Sequence, residues 1–137
     1  MSTGRWVSVA AGIVVVATLV AAIALMDSPA QQREQRLDAR RVQDLQRIEH
    51  AVASYQQQHE TMPRDMQAIA ALPGWSLAVV DPESGQPYAY DATGGRGFRL
   101  CASFGTDSAD GEQQPRTADD WNHPAGPHCF IREVPAD

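Results

Sequence analysis

The 137 residues contain no lysine; all 11 basic side chains are arginine, a habit of composition rather than a sign of chemistry. Cysteine is nearly absent too. Cys101 and Cys129 are the only two, and no C-x-x-C pair exists from which a thiolate metal site could be built. No G-x-S-x-G, no H-E-x-x-H and no glycine-rich phosphate loop occurs, and no small-molecule substrate is evident. There is no repeat and no low-complexity tract. Positive charge is scarce where it would be needed: all 17 acidic residues lie beyond residue 26, against ten arginines. That balance argues against a nucleic-acid partner, which requires a basic face. It also argues against electrostatic docking on anionic lipid.

One long hydrophobic run is present. Trp6 to Met26 is apolar and uncharged. As a helix its 21 residues would extend about 32 Å, enough for a bilayer core of about 30 Å. Signal-peptide cores are shorter, about 7–15 residues, so the length predicts an uncleaved anchor, although Ser28-Pro29-Ala30 resembles a cleavage site. The expected organisation is a transmembrane anchor over 1–30 and one domain over 31–137. Arg5 precedes the run, and Arg33, Arg36, Arg40 and Arg41 follow it. By charge alone this favours a cytoplasmic domain. The cysteines argue the other way, because two cysteines in a small exported domain most simply pair. The expectation is therefore a single-pass membrane protein whose C-terminal domain lies outside the cytoplasm and carries a Cys101–Cys129 disulfide.

Asp27-Ser28-Pro29 should interrupt or bend the membrane helix. From Gln31 to His59, Leu37, Val42, Leu45, Ile48, Val52 and Tyr55 recur at helical spacing and form one apolar stripe. The pairs around Asp38 and Arg41, and around Asp44, Arg47 and Glu49, read as solvated helix-face charges. Met62-Pro63 ends the segment, and Asp65 can cap a short helix from Met66 to Leu72 before Pro73-Gly74. Strands are expected over Ser76–Val80, Pro87–Tyr90, Phe98–Phe104 and Cys129–Val134, with turns at Asp81–Gly85 and Thr93–Gly97. The predicted fold is α+β, a long amphipathic helix packed on a small antiparallel sheet of 3-4 strands.

These pieces, in this order, resemble the type IV pilin and type II secretion pseudopilin family. The resemblance rests on the apolar helix running into one with Arg41, Asp44, Leu45, Ile48, Ala51 and Tyr55. Met62-Pro63, Asp81-Pro82, Gly85-Gln86-Pro87-Tyr88-Ala89-Tyr90 and Phe98-Arg99-Leu100 complete it. Asp81 and Pro82 would set the turn, Gly85 would permit positive φ, and the tyrosines would pack on the helix. Trp121-Asn122-His123-Pro124, Gly126 and Cys129-Phe130 match the tail of pilin-like proteins. The chain departs from the family at its start. Gly4 before Arg5-Trp6 is a poor stand-in for the family's glycine–phenylalanine prepilin peptidase junction, and no acid stands in the helix before Asp27. The resemblance thus implies a non-enzymatic, membrane-tethered structural or interaction module of the bacterial envelope, on an uncleaved anchor. Its partners would be other membrane or envelope subunits. The other reading is a small accessory subunit of a respiratory or transport complex. There, Ala10, Ala11, Gly12, Ala17, Ala21, Ala22 and Ala24 would let helices approach closely.

Two metal readings arise. Asp107, Asp110, Glu112, Asp119 and Asp120 form an acid-rich loop whose oxygens suit calcium, and the family resemblance implies such a site before a tryptophan, here Trp121. The plainer expectation is a solvated acidic loop. His123, His128 and a free Cys129 could ligate zinc, but a disulfide at Cys129 removes the thiolate. His50 and His59 read as surface residues. Ser54 and Ser103 lack a His/Asp context. Trp75, Tyr88, Tyr90 and Trp121 are expected mainly in the core.

Overall fold

The structure, a computed structural model, describes residues 3–25, 28–108 and 121–136. The chain divides into two compact units, Met1–Gln32 and Arg33–Asp137.

In the first unit, α1 (Thr3–Leu25) is long and apolar enough to cross a membrane. Every side chain described along it is exposed, with Leu25 at 87% and Trp6 at 77%. The polar hydroxyls of Ser8 and Thr18 bond to backbone carbonyls one turn earlier, at Gly4 and at Val14 and Val15. That bonding lets polar residues sit in a run otherwise suited to hydrocarbon. Ser28 then caps the next helix. Its hydroxyl accepts from the Gln31 amide at 3.2 Å, and Pro29 occupies the first helical position, where no donor is needed.

Helix α2 (Pro29–His59) carries the apolar stripe expected of it. Leu45, Ile48, Ala51 and Val52 are fully buried, whereas Leu37, Val42 and Tyr55 are half-buried. It ends at Glu60, a non-glycine residue at φ 57°. Helix α3 (Met66–Ala70) is capped by Asp65, whose carboxylate accepts from the Ala68 amide at 2.8 Å.

Three strands follow, β1 (Ala89–Gly94), β2 (Gly97–Phe104) and β3 (Gly126–Glu133), in an antiparallel sheet of order β1-β2-β3. Period-two alternation sends Tyr90, Phe98, Leu100, Phe104 and Phe130 into the core. There they meet α2, Ile69 of α3, Leu72, Tyr88 and Val134 in one cluster. The opposite face presents Asp91, Arg99, Ser103, Cys129 and Ile131 to solvent.

Several boundaries differ from expectation. Ser76–Val80 is not a strand; it contributes one isolated bridge, Val80 to Pro87. Pro87 has no N–H to extend a ladder there, so β1 starts only at Ala89, opposite Cys101. Thr93 and Gly94 belong to β1 rather than to a loop. The hairpin closes through a register shift between Ala92 and Gly94, with Gly94 and Gly95 at positive φ. Strand β3 begins three residues before Cys129, at Gly126, since β2 offers partners as far as Phe104.

Candidate functional site

The largest correction concerns the charges of α2. Asp38 and Arg41 are not solvated: they are 1% and 4% exposed. They lie one and two turns before Leu45 on the same helical face, so the apolar stripe continues into charge. Arg41 donates Nη1 to Asp38 at 2.7 Å, and both Nε and Nη2 to Asp81. Nη2 also reaches Glu83 at 2.9 Å. Asp38 in turn accepts from the Gly105 amide at 3.0 Å, the Thr106 amide at 2.8 Å and the Thr106 hydroxyl at 2.7 Å.

The same Asp81 organises the Asp81–Gly85 turn. Its carboxylate accepts from the amides of Glu83 and Ser84, and its carbonyl from Gly85, which stands at φ 68°. One arginine therefore holds three things at once: its own helix, the Asp-Pro turn, and, through Asp38, the end of β2. Hydrogen bonds from Arg41 keep the Asp81 carboxyl far below the ordinary carboxylate range. Burial alone would raise Asp38, but the Gly105, Thr106 and Arg41 donors outweigh it and hold its pKa low. Asp81, first among its partners, raises Arg41 further. A hydrogen-bonded cluster of this kind fixes these parts of the fold together.

Both tyrosines of the turn enter the core, and Tyr88 reaches the helix. Tyr88 is buried and donates to Asp44 at 3.1 Å. Burial, then the Asp44 charge, drives the Tyr88 phenol well up, while Asp44 itself is raised by burial. Tyr90 lies against Phe98, and burial pushes its phenol up to about 12.

A second constellation surrounds the stems of the acidic loop. The Ser108 amide donates to the His123 carbonyl, and the His123 amide to the Ser108 hydroxyl, both at 3.0 Å. This reciprocal pair clasps the two stems together. The His123 ring stacks on Phe104, with centroids 3.7 Å apart and planes 14° apart, and is 3% exposed. Burial lowers its pKa below the ordinary histidine value. Trp121 packs beside Phe130 at 4.7 Å, and the Arg132 guanidinium lies 4.2 Å from its ring.

Of the calcium candidates, Asp107 is half-buried, and Asp110, Glu112, Asp119 and Asp120 lie outside the described residues. Among the described residues no group of three or more histidine, cysteine or acidic side chains is placed to hold a metal. The zinc set is broken as chemistry requires: Cys129 is bonded to Cys101. His123 faces Phe104, while His128 sits edge-on to Phe130. His50 and His59 are on the surface, and Ser103 is exposed. Ser54 accepts from Gln58, one turn on. Trp75 departs from expectation, being 36% exposed after the Pro73-Gly74 turn, whereas Tyr88 and Tyr90 are buried and Trp121 half-buried.

No family model, no curated protein and no solved structure matches the chain.

Proposed function

We propose that the protein is a non-enzymatic, membrane-tethered structural or interaction module of the bacterial envelope, built like a pilin or pseudopilin. In this reading α1 is an uncleaved single-pass anchor in the inner membrane, and the α+β domain lies in the periplasm. The observation that carries it is the Arg41–Asp81 clamp. The Asp-Pro turn that resembles the pilin-like family is the same turn that the helix engages with its one buried arginine. A module whose charged core serves rigidity, held by a helix of membrane length, suits docking within an assembly more than turnover. The Cys101–Cys129 bond fits an oxidising compartment.

The test is recovery of partners. Full-length protein, tagged at its C-terminus, is purified from gently solubilised membranes, and the co-purifying subunits are identified. Secretion or pilus components recovered in proportion support the reading. A respiratory or transport complex in fixed stoichiometry would replace it with the accessory-subunit role, the same fold then serving as a scaffold.

A further inference from the structure

Helix α2 sorts its charges by face. It contains four carboxylates, and all four are turned toward the domain. Glu34 lies against Gly105, and Asp38 is bound by Arg41, Gly105 and Thr106. Asp44 accepts from Tyr88, and Glu49 lies 3.8 Å from Arg132. Four of the five arginines, Arg33, Arg36, Arg40 and Arg47, are exposed. At spacings of three, four and seven residues they fall within a sector of about 60° and run for about 21 Å along the helix. A helix nearly neutral in composition is thus presented as a stripe of four guanidinium groups. The net charge of the whole domain, on which the expectation against docking on anionic lipid rests, does not resolve this stripe.

We propose that this stripe is a docking surface for the anionic phospholipid headgroups of the membrane that holds α1. Guanidinium groups pair bidentately with phosphate, as they do with carboxylate. Two observations favour lipid. Arg33 lies eight residues beyond Leu25, so chain connectivity alone keeps the stripe within roughly 28 Å of the end of the span at its first member. The stripe also lacks what a protein partner would use, because none of the exposed large hydrophobic residues is on α2. Gln32, Gln43 and His50 are its exposed neighbours. Asp44 lies close to Arg40 and Arg47, but its carboxylate is half-buried and held by Tyr88. The inference rests on the membrane-tether reading above.

The full-length chain is incorporated into lipid nanodiscs of pure phosphatidylcholine, or with a third of the lipid replaced by phosphatidylglycerol. A nitroxide is attached at Gln43→Cys, on the stripe, or at Ala70→Cys, an exposed site on α3, and collisions with a water-soluble nickel chelate are measured. On anionic discs the Gln43 label should lose accessibility severalfold. The loss should vanish near 0.5 M salt, where the screening length is about 4 Å, and the Ala70 label should not change. Each arginine should contribute roughly fivefold to the bound population, so R33Q/R36Q/R40Q/R47Q should abolish protection. If that variant does not fold, Arg36→Gln alone should weaken it measurably. Equal accessibility on the two discs overturns the proposal while leaving the tether intact. Failure to enter discs at all overturns the tether and the proposal with it. Salt-sensitive protection in native membranes without protection on anionic discs assigns the stripe to an acidic protein and also overturns it.

Discussion

Arg41 and Asp81 are 40 residues apart in sequence, yet the guanidinium holds the carboxylate through two nitrogens in a buried setting. The clamp joins a helix to a turn that has little else to anchor it, since Pro82 to Gln86 are exposed. Without Arg41, Asp38 and Asp81 would remain buried with only amide and hydroxyl donors. Arg41→Leu should therefore cost about 3–5 kcal/mol, the range for orphaning a buried charge rather than for losing a surface pair. Arg41→Lys should recover only part, because an ammonium cannot reproduce the fork. Urea unfolding of the full chain in detergent, followed by tryptophan fluorescence, measures both. A loss below about 1 kcal/mol for Arg41→Leu would place the pair in the solvated class and contradict its burial.

Tyr88 and Tyr90 make a contrast two residues apart. The Tyr88 hydroxyl donates to Asp44, whereas the buried Tyr90 hydroxyl has no partner among the described residues. Tyr88→Phe should destabilise by about 1 kcal/mol, with Asp44 losing a donor. Tyr90→Phe should be neutral or slightly stabilising, because it deletes a desolvated, unpaired group of the same shape. Paired thermal melts compare them. An equal cost for both variants would mean that the two hydroxyls share one environment.

Acid should act in two stages. His123 has a folded pKa below its unfolded value of about 6.5, because burial against Phe104 disfavours the imidazolium. Asp38, Asp107 and His128 also act on its charge, the acids raising and His128 lowering its pKa. Between the folded and unfolded values the unfolded chain binds the extra proton. Stability is thus complete above about pH 6.5 and falls as pH drops through that window. Asp38 and Asp81, both depressed, add a second loss below the ordinary carboxylate range near pH 4. Unfolding free energy measured across pH should show both slopes, and His123→Phe should flatten the upper one alone. An upper slope unchanged in that variant would move the first stage to another group.

Much of this arrangement was legible in the residues. The α2 stripe, the Asp65 cap, the Asp81–Gly85 turn and the alternation of Phe98, Leu100 and Phe104 follow local rules of period and turn chemistry. The cluster was legible only in part. Asp38 and Arg41 continue the spacing of Leu45, Ile48 and Val52, so their face was readable, but polarity argued for solvent. What placed them inside was a partner 40 residues away, together with two amides at Gly105 and Thr106. Those are tertiary facts that periodicity does not carry. The ends of β1 and β3 escaped for a similar reason, since strand length is set by what the neighbour can pair with.

The Cys101–Cys129 bond joins residues directly opposed in the β2–β3 ladder, on the face turned away from the core. It closes a sequence separation of 28 residues, which includes the acidic loop. Loop-closure entropy assigns it about 3–4 kcal/mol, acting mainly on the unfolded chain. The ladder itself pairs eight positions and places Phe130 opposite Leu100 whether or not the bond exists. Cys101→Ser/Cys129→Ser should therefore fold to the same structure with a lower urea midpoint and an unchanged circular dichroism spectrum. Amide exchange separates the two contributions: the whole sheet should exchange faster by one common factor. Selective fraying of β3, with β1 and β2 unaffected, would instead show that the bond holds the edge strand in the native state.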